Sequence, residues 1–284
     1  MRTELVSIPT DTTPLDGLYH LPEDREVRGA VLLMHGNGMN FYTGPPRFLP
    51  PRLVDAGFAC LTFNRRGHDT LAARTRRPEG NAFQTAAQAM ADNELAGQFL
   101  AARGHPSPSV VGHSNGGLLA SRYVADHTGT PALVLLSAHC GGREWMPLAS
   151  RLGLLAGDRL PEFTRQAQEL VADGRPDELM LLPGWWYVTS AASFLDGLTN
   201  VPSLLGAAPE IACPTLFVRG DREDREMYPA ERFAERAAGP VDVRVLEDCD
   251  HFYTGVEDQV AALVTAWLTA AVADPGARTT TVRT

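Results

Sequence analysis

The chain of 284 residues contains no lysine; all 25 of its basic residues are arginine. That absence removes several chemistries. A P-loop, a pyridoxal Schiff base and a serine–lysine dyad each need an ammonium side chain to reach phosphate, condense with an aldehyde or act as base. Cysteine is scarce too: Cys60, Cys140, Cys213 and Cys249 form no C-x-x-C pair and most lie in or beside apolar runs, so small buried hydrophobes are expected and no metal site is assigned. No run approaches the ~18 apolar residues of a membrane span. The opening M-R-T-E-L-V-S-I-P-T lacks an apolar signal core, and the cytoplasm is the expected location. Net positive charge is also missing. A balance of −9 argues against nucleic acid or an anionic membrane as a general partner. The local exception is Arg65, Arg66, Arg74, Arg76 and Arg77, which reads as a solvated loop or as a patch for an acidic ligand or carrier.

What is present alternates. Continuous apolar runs at 30–34, 59–63, 109–111, 132–136, 215–218 and 241–246 predict buried strands of a parallel sheet covered on both faces. Helical patterns at 47–56, 84–102, 115–127, 229–238 and 256–272 lie between and after them. Residues 4–8 and 15–21 could add two antiparallel edge strands. The rhythm is that of a doubly wound α/β sheet. It breaks at 141–209, where helical stretches and the aromatic group Trp185, Trp186 and Tyr187 occur but no strand is obvious. That segment reads as an insertion over the sheet, dividing a core of 1–140 and 210–273 from itself; 274–284 reads as a frayed tail.

Chemistry concentrates in G-H-S-N-G-G, residues 112–117, between a predicted strand and a predicted helix. A serine on that turn is exposed at the carboxyl edge of the sheet, with helix N–H groups aimed at it, so Ser114 is the candidate nucleophile. A hydroxyl needs a base. D-C-D-H-F, residues 248–252, follows the last strand and supplies His251. The acid that orients the imidazole should follow the strand at 215–218, where V-R-G-D-R-E-D-R-E offers Asp221, Glu223 and Asp224. Position favours Glu223, three residues past Gly220, whereas residue type favours Asp224. The oxyanion donors are the backbone N–H of Asn115 and that of Asn37 in H-G-N-G, residues 35–38, with Gly38 as the alternative. His139, at the same sheet edge, is a candidate pocket wall. Trp145, Trp185, Trp186, Tyr187 and Phe194 are either a pocket lid or the insertion's own core.

The order H-G-N-G, N-R-R-G-H, G-H-S-N-G, an acidic turn and D-H-F resembles the α/β-hydrolase superfamily over nearly the whole chain. The resemblance implies a sheet of about eight strands, a helical cap before the acid-bearing strand, no cofactor, and a structural role for N-R-R-G-H. The expected activity is hydrolysis of a carboxylic ester or thioester, with a small-molecule acyl substrate, apolar or carrier-bound. Non-hydrolytic elimination, cyclisation or acyl transfer on the same fold is the alternative. An aspartate-nucleophile reaction is excluded by the serine at 114.

Overall fold

A computed structural model describes residues 1–71, 77–185 and 187–273. The tail at 274–284, Trp186, Arg74 and Arg76 therefore lie outside the described residues. In chain order the elements are β1 (Arg2–Ile8), β2 (Leu15–Leu21), β3 (Gly29–Met34), α1 (Pro45–Asp55), β4 (Phe58–Phe63), α2 (Ala86–Ala102), β5 (Ser109–His113), α3 (Asn115–Asp126) and β6 (Leu133–Leu136). After them come α4 (Trp145–Arg151), α5 (Leu160–Ala172), β7 (Leu179–Leu182), β8 (Tyr187–Ser190), α6 (Ala191–Thr199), α7 (Leu204–Ala207), β9 (Thr215–Gly220), α8 (Ala230–Arg236), β10 (Val241–Leu246) and α9 (Glu257–Ala273).

Among the described residues, eight strands form one sheet in the order β1-β2-β4-β3-β5-β6-β9-β10. At one edge β1 pairs antiparallel with β2 and β2 antiparallel with β4, and the remaining neighbours are parallel. The continuous apolar runs have their cause here: β4, β5, β6 and β9 are buried at every position. Residues of α2, α3, α7 and α8 pack in the core on one face, those of α1 and α9 on the other. The chain runs outward in opposite directions from β3, to β4 on one side and β5 on the other. That switch point opens a crevice at the carboxyl ends of the strands, the usual place for a ligand in an open α/β sheet.

The stretch between β6 and β9 has its own apolar cluster, including Met146, Phe163, Met180 and Phe194. It also holds what the sequence did not announce, the antiparallel pair β7–β8. Leu179-Met180-Leu181-Leu182 contains no β-branched residue and suits a helix as well as a strand. Its alternation is masked because Leu179 and Leu181 stay exposed while Met180 and Leu182 are buried. The four cysteines are free, with Cys60 and Cys249 buried and the other two half-buried.

Candidate active site

β5 ends at His113 and α3 begins at Asn115, so Ser114 alone makes the turn. Its φ is 55° and its ψ −123°, a conformation that costs an L-residue about 1–3 kcal/mol. The turn is held by the Ser114 N–H, which donates to the Leu136 carbonyl at 2.9 Å, and by the Gly117 N–H, which donates back to the Ser114 carbonyl at 2.9 Å. Side chains are excluded around it: a Cβ on Gly112 would lie 2.3 Å from the Gly116 oxygen, and one on Gly116 would lie 2.3 Å from the Met34 oxygen.

His251 stands on the loop after β10. Its Nδ1 lies 2.6 Å from Glu223 Oε1 and its Nε2 lies 3.0 Å from Ser114 Oγ. A carboxylate only accepts, so Nδ1–H donates to Glu223; Nε2 is then the free base and the Ser114 hydroxyl donates to it. The loop is pinned from two sides. Asp250 Oδ1 accepts the Phe252 and Thr254 N–H groups, each at 3.0 Å. His113 Nε2–H donates to the His251 carbonyl at 2.9 Å.

Glu223 follows the end of β9 by three residues and is buried. Its Oε2 accepts the Gly220 N–H at 2.8 Å and the Ser137 hydroxyl at 2.7 Å. Tyr253 stands behind Ser137, 2.8 Å from it and 3.1 Å from the Val218 carbonyl. The two rival carboxylates are engaged elsewhere. Asp224 Oδ1 accepts the Glu226 and Met227 N–H groups, and Asp221 Oδ1 accepts the Cys249 N–H. Ser137 and Tyr253 carried no sequence signal; like Ser114 they have positive φ, 47° and 61°.

H-G-N-G follows β3 and meets the elbow directly. A Cβ on Gly36 would stand 2.8 Å from Met39 Sδ and 3.3 Å from Ser114 Cβ. Asn37, Gly38 and Asn115 all line the cavity above Ser114. The Gly38 N–H donates to Asn81 Oδ1 at 3.2 Å. Among the described residues neither the Asn37 nor the Asn115 N–H meets a protein acceptor. Burial raises the Tyr187 phenol on β8, and the Asn37, Asn81 and Thr189 side chains lie near enough to its hydroxyl to oppose that shift.

The cavity holds about 750 Å³ and runs from Ser114 and His251 up to Trp145, Leu154, Trp185 and Tyr187. The aromatic group therefore divides between the two roles the sequence left open. Phe194 is fully buried in the insertion's cluster, whereas Trp185, like Phe252, lines the cavity and is about half-exposed. Trp145 does both: its indole N–H donates to the Gly197 carbonyl at 2.8 Å while the ring lines the cavity. His139 lines it too. Burial, and then the His251 imidazole, push His139 down to about 4; its Nδ1 accepts the Gly141 N–H, which leaves Nε2 as the protonated nitrogen.

His113 is pushed further, to about 3, by burial and by His251. Unfolded, it titrates near 6.5. Below that pH the unfolded chain takes up a proton that the native chain refuses, so stability is complete above pH 6.5 and declines as pH falls toward 3. Between pH 6.5 and 5 the loss from this group is about 2 kcal/mol. Denaturant unfolding of wild type and His113→Gln across that window should show a shallower decline in the variant. Parallel declines would remove His113 as the source.

The profile of the Alpha/beta hydrolase family matches residues 31–265. No curated protein matches in sequence. Similar solved structures include Est1E from Butyrivibrio proteoclasticus with ferulic acid bound, at TM-score 0.72 and 20% identity over 94% of this chain and 99% of that one. A highly thermostable carboxyl esterase from Bacillus coagulans, in complex with glycerol, is similar at TM-score 0.70 and 16% identity over 96% and 99%. A monoacylglycerol lipase from Paleococcus ferrophilus is similar at TM-score 0.60 and 19% identity over 90% and 99%. At these identities the likeness is one of fold. Among the described residues no helix is long and apolar enough to cross a membrane.

Proposed function

The chain belongs to the alpha/beta hydrolase family, and from that premise we propose that it hydrolyses carboxylic esters or thioesters through an acyl-enzyme on Ser114. One observation carries the reading: the hydrogen-bonded line Glu223–His251–Ser114, with contacts of 2.6 and 3.0 Å, ends under a cavity lined by Asn37 and Asn115. The solved structures named as a carboxyl esterase and a lipase point to the same bond class.

The steps follow from the geometry. Ser114 Oγ attacks the carbonyl carbon as its proton passes to His251 Nε2. The carbonyl oxygen becomes an oxyanion, held by the Asn37 and Asn115 N–H groups. Glu223 remains a carboxylate and stabilises the imidazolium. The imidazolium then gives its proton to the departing alkoxide or thiolate, and the C–O or C–S bond breaks. Water enters, loses a proton to Nε2 and attacks the acyl carbon; collapse of the second tetrahedral species returns the proton to Ser114 Oγ and frees the acid.

Residues 141–209 act in this reading as a cap that sets specificity. Trp145, Leu154, Trp185 and Phe252 favour an apolar or aromatic substrate of moderate size. A panel of p-nitrophenyl esters of graded acyl length, run beside acyl thioesters and a fluorophosphonate label, tests it. Turnover with labelling of Ser114 is expected, with a chain-length optimum. No turnover of any activated ester and no label would end the reading, and full activity of a Ser114→Ala protein on the true substrate would replace it with base catalysis by His251.

A further inference from the structure

Two residues of the turns after β3 and β4 are buried, polar and unused by the steps above: His35, which is inaccessible, and Arg65, at 1% exposure. Both point at one peptide group. The Gly36 carbonyl accepts His35 Nδ1–H at 2.7 Å, and Arg65 Nη2–H and the Met39 N–H each at 3.4 Å. The same Arg65 nitrogen donates to the His35 carbonyl at 2.7 Å. The His35 tautomer is fixed, because its Nε2 accepts the Arg65 backbone N–H at 3.0 Å.

The Gly36–Asn37 peptide is trans, as are the others described. In a planar trans peptide the C=O and N–H point in opposite directions. Whatever holds the Gly36 carbonyl therefore aims the Asn37 N–H, and donors on that oxygen draw electron density from the nitrogen and make its N–H a stronger donor. Arg65 adds charge as well as a hydrogen bond. The nearby Asp92 is engaged by Arg66, through backbone N–H and Nε, both at 2.8 Å. Among the described residues Arg65 has no carboxylate in contact, and its Nε and Nη1 have no partner. A buried, unpaired guanidinium is costly. Burial pulls Arg65 down only to about 10, so it is charged at neutral pH.

We infer that His35 and Arg65 are positioning residues for the oxyanion: they clamp the Gly36 carbonyl so that the Asn37 N–H faces the carbon attacked by Ser114, and the Arg65 charge polarises that peptide. The inference rests on the hydrolase reading above. It assigns the N-R-R-G-H turn a part in the reaction rather than a scaffold role alone.

The test uses an alkyl trifluoromethyl ketone. Ser114 Oγ adds to its carbonyl carbon, the C=O π bond opens, the hydroxyl proton goes to His251 Nε2, and the resulting hemiketal oxyanion occupies the reaction's oxyanion position. In the wild-type adduct the Asn37 and Asn115 amide protons are expected to move downfield. Two variants then separate polarisation from scaffolding. His35→Asn keeps a donor where Nδ1 was, whereas His35→Gln keeps an acceptor where Nε2 was. His35→Asn is expected to stay within about 3-fold of wild-type kcat. His35→Gln should lose about 10-fold in kcat at constant KM, with the adduct oxyanion pKa raised by about one unit. Arg65→Met should raise that pKa similarly, and Arg65→Lys by less.

The reverse order of the His35 variants, equal loss in both, or an unchanged oxyanion pKa in Arg65→Met overturns the inference. Should the variants fail to fold, the wild-type adduct decides: an unmoved Asn37 amide overturns it alone. No adduct on wild-type Ser114 overturns the hydrolase reading beneath it.

Discussion

Replacing Ser114 with alanine should leave a folded protein that turns over its best ester about 10⁵-fold more slowly. The fold should survive because the change removes one hydroxyl and one hydrogen bond, to His251, while the elbow is held by backbone contacts. The strained φ of 55° persists, since alanine tolerates it no better than serine. Rate should collapse because nothing else at the site can form the acyl bond; Cys249 and Cys140 have thiols pushed up by burial, to about 11. What activity remains would come from the Asn37 and Asn115 donors acting on water attack. Steady-state kinetics with an active-site titrant decides the matter, and a variant within 10-fold of wild type would contradict the acyl-enzyme.

The second large effect concerns the acid. Glu223→Gln should lower kcat by about 10⁴, the size seen when a triad carboxylate becomes an amide. Local hydrogen bonding gives the reason. The Oε2 position faces two donors, the Gly220 N–H and the Ser137 hydroxyl, so the glutamine oxygen must sit there. Its NH₂ then faces His251 Nδ1, which must become an acceptor. The proton moves to Nε2, the imidazole holds the wrong tautomer, and Ser114 loses its base. Asp224→Asn and Asp221→Asn should keep kcat within a few-fold, because those carboxylates accept backbone N–H groups away from the imidazole. Loss of kcat in Asp224→Asn with an active Glu223→Gln would transfer the role.

Much of this was legible from sequence because backbone geometry enforces it. Central parallel strands are buried and largely apolar, so β3, β4, β5, β6 and β9 lie within a few residues of the runs that predict them, and the edge strand β10 follows from its alternating Val241, Val243 and Val245. Gly112 and Gly116 mark the elbow because contacts of 2.3 Å forbid any side chain there. The acid was legible only to within three candidates, since the sequence places Asp221, Glu223 and Asp224 on one turn but not their side chains. Ser137 and Tyr253 were not legible. Ser137 reaches Glu223 from 86 residues upstream and Tyr253 reaches Ser137 from 116 residues downstream, through loop conformations that no local pattern encodes. β7 was missed because leucine and methionine carry no preference for a strand, and β8 because its strand formers Tyr187, Val188 and Thr189 make too short a run to stand out.

Tyr187 belongs to that missed pair, yet its oxygen lies near the Asn37 and Asn81 side chains, and Asn81 secures Gly38 in turn. In the proposed reaction this proximity would tether the insertion to the turn whose Asn37 N–H would meet the oxyanion. Anyone grafting another relative's insertion onto this core, to retarget it, would cut that tether along with the old preference. A chimera that binds its new substrate well but reacts sluggishly would be the natural product of such a swap, and restoring a phenol at this one place is where its repair would begin.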